Sequence, residues 1–506
     1  MRWKRPLFLF HRWAGIVLCL FFALWFLSGL FMMYVEFPQL TRTERLAGAA
    51  TLDSSAANLQ PADAVAKLHT ADFDTAGTPS AIRSVALDSI EPRSIRLAMI
   101  TGRPAYVIHL QAPAQPRVVF ADNGEILRAV PPEPARRAAF EHARRRGLAG
   151  DEEEVRYLGS LLTDQWTVSA ALNDHRPLLH FALSDATATE FYVSSRTGEV
   201  VRDSHRRERV LNYFGAVTHW LYPTFLRKYP EVWEWIVDLL SSAGVLLGIS
   251  GLWIGVLRYK RRREPRKPAV PYRGIMRWHY FAGITFGAVA VTWVFSGLLS
   301  MNPLGLNPPR RPAIDEHLVF AGKALAPADF QLPLAGFGAE AVEAELLHYR
   351  SQPFYRVTDR SGTVRLVPGS EAANNTPSVL AMAALAPQLL PGVQVIERRL
   401  LTQYDDHYYT RHPEHGEKML PVLRVRFDDP QATWFHLDPV TGQVLERSTH
   451  ANRVYRWLYN GLHSWDIRWL WERRPLWDIC VIVFSLGGVL LSLLGIVIGV
   501  RRLSFR

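Results

Sequence analysis

Cysteine is almost missing from this chain. Two occur in 506 residues, Cys19 and Cys480, each inside a long apolar run. Thiols so placed exclude a disulfide framework for any exported part. No CxxCH motif is present, which argues against covalent haem attachment, and no zinc-type cysteine spacing appears. The chain also lacks a P-loop, a GxGxxG opening a helix, an HExxH pair and a GxSxG elbow. Those absences remove the commonest NTPase, dinucleotide, metalloprotease and hydrolase readings. Charge is sparse at 21%, and the apolar residues are concentrated in four blocks.

Those blocks, roughly residues 7–34, 233–257, 277–301 and 477–500, are each long enough to cross a hydrocarbon core of about 30 Å at about 1.5 Å per helical residue. The first is too long for the h-region of a cleaved signal peptide. The net charge of +11 could suit nucleic acid, but its placement does not. Arg2, Lys4 and Arg5 precede the first block, a basic run from Arg258 to Arg277 separates the middle two, and Arg501, Arg502 and Arg506 follow the last. Short basic flanks mark the cytoplasmic side. The expected protein therefore crosses a bacterial inner membrane four times, with both termini inside and two large segments in the periplasm. Its expected charged partner is anionic lipid rather than nucleic acid.

The apolar blocks repeat. FHRWAGIVLCLFFALWFLSGL (10–30) aligns with WHYFAGITFGAVAVTWVFSGL (278–298), placing His11 on His279, Trp25 on Trp293 and Ser28-Gly29 on Ser296-Gly297. RVLNYFGAVTH (209–219) aligns with RVYRWLYNGLH (453–463), placing His219 on His463, and the glycine at 244 falls on that at 488. Self-similarity of this kind outranks local cues. Between the blocks, AYVIHL (105–110), RVVFA (117–121) and the turn Asp122-Asn123-Gly124 read as strands and a hairpin. Residues 133–147 read as a helix, and 50–80 as a loop. FYRVTDRSGTVRLV (354–367) and PVLRVRF (421–427) answer the first hairpin and LLHFAL (178–183).

The expected fold is thus an α+β membrane protein with four transmembrane helices from a tandem duplication, as parallel repeats, carrying two periplasmic α+β domains. Its parts are the first span at 1–34, a periplasmic domain at 35–208, an interfacial helix with the second span at 209–258, a basic cytoplasmic loop at 259–276, the third span at 277–301, a second periplasmic domain at 302–452, and an interfacial helix with the fourth span at 453–502.

The four histidines carry the chemistry. His11 and His279 begin outward-running helices near the cytoplasmic edge, and His219 and His463 precede inward-running helices near the periplasmic edge. A pseudo-twofold axis along the membrane normal brings His11 opposite His279 and His219 opposite His463. Facing imidazoles are axial ligands for haem iron, and the small residues beside them leave room for a flat macrocycle. Two b-type haems so held would make a path for electrons across the membrane. A single histidine at a membrane edge is more often an interfacial anchor; the matched depths favour ligation. A weaker candidate site is DDHYYTRHPEH (405–415), where Asp405, Asp406, His407, Tyr408 and Tyr409 could touch a ferric complex or bind a metal, a solvated loop being the plainer reading.

Taken together, His11-Arg12-Trp13-Ala14-Gly15, Ser28-Gly29, Thr197-Gly198-Glu199-Val200, Thr441-Gly442-Gln443-Val444 and the Gly-Val-Leu-Leu exit helices resemble the PepSY-associated transmembrane protein family. That resemblance implies two PepSY-like periplasmic domains and an iron-linked role. Some members resemble haem-containing reductases of ferric siderophores. It therefore implies an oxidoreductase that passes electrons from an unidentified donor to a ferric siderophore or similar chelate, with the haem-ligand role on His11, His219, His279 and His463. The alternative it leaves open is a non-enzymatic, membrane-anchored PepSY protein that binds or regulates a peptidase through a sheet edge.

Overall fold

The computed structural model describes residues 4–70, 91–111, 115–259 and 270–504. Helices Lys4–Met32, Pro230–Arg258, Gly274–Ser300 and Leu476–Ser504 are each long and apolar enough to cross a membrane. They form a four-membered ring in which the first and third helices each pack on both the second and the fourth. Close approach depends on glycine, as is usual where helices associate in lipid. A Cβ on Gly244 would sit 2.9 Å from the Phe22 ring, and one on Gly488 would sit 2.6 Å from Phe26. Phe22, Phe26, Leu247, Trp293 and Val294 fill the middle of the ring, with Phe26 and Trp293 5.9 Å apart between ring centres. The helix ends differ from expectation by only a few residues. Most of the basic loop at 259–276, from 260 to 269, lies outside the described residues.

The first extramembrane segment supplies β1 (Pro92–Ile100), β2 (Arg103–Leu110), β3 (Arg117–Phe120) and β4 (Ile126–Leu127), then β5 (Val155–Leu161), β6 (Leu178–Leu183), β7 (Glu190–Ser194) and β8 (Val200–Ser204). The second supplies β9 (Ala341–Tyr349), β10 (Gln352–Asp359), β11 (Val364–Pro368), β12 (Val395–Leu401), β13 (Val422–Phe427), β14 (Trp434–Leu437) and β15 (Val444–Ser448). β5 to β8 and β12 to β15 each form a four-stranded antiparallel sheet in chain order. In both, the turn before the last strand ends in a threonine and a left-handed glycine, Gly198 at φ 74° and Gly442 at φ 75°, a backbone that side chains disfavour.

The remaining strands join the two segments. They form one seven-stranded sheet in the order β11-β10-β9-β1-β2-β3-β4, so β1 of the first segment pairs antiparallel with β9 of the second. Leu97 faces Ala344 across that seam, and Ile95, Tyr106, Val119, Leu346 and Tyr355 complete the core beneath. A buried charge network crosses the same seam. Glu343 accepts from Arg45 at 2.9 and 3.2 Å and from Arg96 at 3.3 Å, while Arg96 also reaches Glu199 at 2.7 Å.

Two expectations need correction. Residues 50–80 are not simply a loop: Pro61–Thr70 is a helix that buries Ala64, Val65 and Leu68 on the joined sheet, while 71–80 lie outside the described residues. Its proline stands at the first helical position, where no amide partner is lost, and the short apolar residues recur at helical spacing. Strand β1, with its partner β9, was not singled out from the sequence.

The helix expected at 133–147 is Pro132–Arg145, which lays Ala135, Ala139 and Ala143 on Phe181, Phe191 and Val193. Its His142 is buried against Gly48, where an added Cβ would fall 2.2 Å from the imidazole. Gly48→Ala is expected to lower stability by about 1–3 kcal/mol through this overlap. The check is the thermal midpoint, together with the double variant Gly48→Ala/His142→Ala. An overlap predicts that the double variant loses less than the two single losses added together.

Candidate functional site

His219 ends a short helix, Ala216–His219, that follows Arg206–Phe214 after a break at Gly215. His463 follows His450–Arg456 and a π-helical turn, Trp457–Gly461. Prolines keep both pieces separate from the membrane helices that come next: Pro223 and Pro230 in one, Pro475 in the other. Each histidine then turns onto a different membrane helix in the same way. His219 Nδ1 lies 3.2 Å from the Trp25 carbonyl and 3.0 Å from Ser28 Oγ. His463 Nδ1 lies 3.1 Å from the Trp293 carbonyl and 3.1 Å from Ser296 Oγ. A carbonyl can only accept, so Nδ1 carries the hydrogen and Nε2 keeps its lone pair. Gly29 and Gly297 lie alongside, where an added Cβ would be in van der Waals contact with the respective imidazoles at 3.7 and 3.4 Å. The two rings meet edge-on, with centres 5.9 Å and planes 69° apart.

At the opposite end of the ring, His11 and His279 line one cavity of about 370 Å³. Along Lys4–Met32, the 14 residues from His11 to Trp25 rise roughly 21 Å, which sets the separation of the two histidine levels. Between them stands the plug of Phe22, Phe26 and Trp293. His11 Nδ1 sits 3.3 Å from the Leu247 carbonyl and 3.1 Å from Ser250 Oγ. For His279 the backbone acceptor is Leu491, close enough to act on the ring but not to complete a hydrogen bond, so its Nδ1 is buried without a full partner. The cavity walls are glycine-rich, with Gly248, Gly251, Gly255, Gly283, Gly495 and Gly499 among them. A Cβ on Gly251 would meet His11 at 2.7 Å, and one on Gly495 would meet Cys19 Sγ at 2.5 Å and His279 at 3.7 Å. Small residues here let side chains seat against the opposing backbone, the His11 ring on Gly251 and Cys19 on Gly495.

Residues 405–415 are only in part the solvated loop that their composition suggested: Tyr408 is buried and its neighbours half-buried, while Arg411, Pro413 and Glu414 are exposed. Asp405 takes both arms of Arg424, at 2.5 and 2.9 Å. Burial would raise the pKa of that carboxyl, but Arg424 and the amides of Tyr408 and His407 hold it well below the usual range. Tyr408 is buried and donates to the Met419 carbonyl at 3.0 Å, and Tyr409 donates to Asp466 at 2.7 Å. His407 lies edge-on to Trp434 and Trp457. Burial is the main reason its pKa falls to about 4, against an attraction from Asp405 and with the aid of Arg456, Arg424 and Arg453. The five expected residues do not converge on one point. Asp405 and Asp406 line a small pocket of about 150 Å³, His407 lines a larger one of about 610 Å³, Tyr409 borders both, and Tyr408 belongs to the core. Farther along, His412 and His415 meet Glu36 at 2.6 and 3.9 Å in an exposed cluster.

Sequence reasoning passed over two things. The carbonyls of Trp25 and Trp293 that orient His219 and His463 carry no sequence signal, although the repeated Trp-x-x-Ser does. Arg456 was also overlooked; its signal was an arginine standing where the first repeat has Asn212.

No curated protein matches the chain at a significant level. The family described as the PepSY-associated TM region matches residues 8–327, a stretch that takes in the first three membrane helices and the whole first extramembrane segment. With more than half of its length matched, the chain belongs to the PepSY-associated transmembrane family.

Proposed function

We propose that this protein is a tandemly duplicated b-type haem protein of a bacterial inner membrane, with both termini cytoplasmic. On this reading both large segments are periplasmic, and electrons pass outward to a ferric siderophore or similar ferric chelate. The observation that carries the reading is the pairing of four half-buried histidines at two levels of one four-helix ring. At the upper level the same carbonyl-and-serine arrangement orients both members of the pair.

The residues suit haem at both levels. The His219 and His463 ring centres are 5.9 Å apart, and these two side chains would hold a haem at the upper level. The lower cavity falls within the about 300–1,000 Å³ of small-molecule sites, and an added Cβ would reach His11 at 2.7 Å from Gly251 and His279 at 3.7 Å from Gly495. Held there, haem would supply one-electron redox chemistry at each level. The protein contributes the rest. His11, His219, His279 and His463 would hold the haem, and in His11, His219 and His463 the nitrogen left free by the carbonyl contact is Nε2. Ser28, Ser296 and the Trp25 and Trp293 carbonyls fix the orientation of the upper rings, as outer-shell partners do for metal-bound histidines. Phe22, Phe26 and Trp293 keep water out of the space between the levels.

A reduced-minus-oxidised spectrum of the purified protein from haem-replete cells, with pyridine haemochrome quantitation, tests the proposal; absence of a Soret band ends it. The lower site has its own test. Gly251→Val is expected to push the His11 ring aside and remove about half of the haem absorbance while leaving the thermal midpoint of the extramembrane segments unchanged. Full haem content in that variant would detach the lower cavity from haem binding.

A further inference from the structure

The pocket of about 610 Å³ lies between the second extramembrane segment and the helix that leads to His463. Its walls are strongly cationic. Arg310, Arg411, Lys418 and Arg456 line it, and among its described lining residues Asp466 is the only carboxylate. Three of the cations have acidic partners. Arg310 and Lys418 each reach Glu446 at 3.0 Å, and Arg411 holds Asp466 at 2.7 Å. Arg456 has none among the described residues. It is 2% exposed, with its guanidinium between the rings of Trp457 and Tyr409, 4.1 and 4.9 Å from their centres. One arm donates to the Asp466 backbone carbonyl at 2.5 Å, while Nε and Nη1 are buried with no acceptor. The Asp466 carboxylate does not fill the gap, being taken by Arg411 and Tyr409.

A buried guanidinium with two unmet donors is an expensive feature unless something completes it. The fold itself does not demand it. At the matching place in the first repeat stands Asn212, fully buried, its amide donating to the Glu36 and Glu208 carbonyls. The backbone that carries Arg456 runs directly into a π-helical turn, a feature common at functional sites. Tyr459, from that turn, lines the pocket and stacks on the His463 ring, with centres 5.6 Å apart and planes 29° apart.

We propose that this pocket binds a small anionic metal chelate, whose oxygens accept from Arg456 and whose charge is matched by the surrounding cations. A guanidinium held between two rings presents donors in fixed directions along more than one edge, which an ammonium does not. The assignment rests on the electron-transfer reading for its purpose, because Tyr459 sets the bound chelate next to the upper histidine pair. As a binding site it stands on the pocket alone.

The test uses gallium(III)–citrate, a redox-inert anionic chelate, titrated calorimetrically into the full-length protein in detergent. Saturable binding that weakens as salt rises is expected, with cationic gallium(III)–desferrioxamine B excluded. Arg456→Leu should weaken binding at least about 30-fold with haem content unchanged, and Arg456→Lys should fall in between. Absence of binding by the unaltered protein, equal binding of the cationic complex, or undiminished affinity in Arg456→Leu would overturn the assignment. If Arg456→Leu does not fold, the salt dependence and charge selectivity of the unaltered protein decide. The two readings fail separately. Chelate binding by a protein without a Soret band keeps the pocket and removes the haem, whereas a haem-loaded protein indifferent to the chelate does the reverse.

Discussion

Alanine at His219 or at His463 is expected to remove about half of the haem absorbance of the purified protein and to leave the rest with an unaltered bis-histidine spectrum. The reasoning starts from the geometry of the pair. Each imidazole is fixed by its own carbonyl and serine, on its own membrane helix, so deleting one does not release the other. A single remaining axial ligand holds a hydrophobic macrocycle far less firmly than two. The members of a pair should therefore act as a unit, and effects within a unit are not additive. His219→Ala/His463→Ala should lose no more haem than either single change. A double change across the levels, His11→Ala/His219→Ala, should abolish the absorbance. Ser28→Ala and Ser296→Ala should keep most of the haem but loosen it, since loss of such an outer partner typically costs about 10–100-fold in metal affinity. Full haem in all four single alanine variants would sink the assignment; so would a loss that grows in equal steps with each histidine removed, because that pattern has no pairs in it.

What could be read from the sequence divides along the range of the interactions involved. The spans were legible because twenty-odd apolar residues in a row have few other uses. LLHFAL became β6, and the Asn123-Gly124 turn joined β3 to β4, because pleat and turn are set by neighbours in the chain. The pairing of β1 with β9 was not legible. Their residues lie about 250 positions apart, and a strand buried on both faces carries no alternation to betray its partner. The histidine levels were legible through the repeat, but the Trp25 and Trp293 carbonyls that orient the rings were not, since every residue has a carbonyl. At 405–415 the polar composition misled in part. Asp405 is consumed by Arg424 from β13 and Tyr409 by Asp466, and both partners arrive from distant parts of the chain.

Replacing Glu343 by alanine is expected to be the most damaging single change outside the membrane, lowering the thermal midpoint of the extramembrane segments by about 5–15 °C. Glu343 is 4% exposed and receives two arginines from the first segment, Arg45 and Arg96, at the point where the two segments share a sheet. Removing one partner of a buried ion pair strands the other, at a cost of about 3–5 kcal/mol. For a folded unit of this size each kcal/mol moves the midpoint by about 2–4 °C. Glu343→Gln should be milder, because the amide oxygen still accepts from one arginine, and Arg45→Ala milder again, because Arg96 remains. The pH dependence has a definite sign. Burial would raise the Glu343 pKa, but Arg45, then Arg96 and Arg356, bring it down to about 2. A carboxylate depressed in the folded state adds stability above its unfolded pKa of about 4.3, and that stability is lost as pH falls toward the folded value. The gap between the unaltered protein and Glu343→Gln should therefore be widest near neutrality and narrow steadily below about pH 4, followed by tryptophan fluorescence on heating. A gap that is small at pH 7, or one that widens in acid, would mean that the seam is held by Leu97, Ala344 and the apolar core alone.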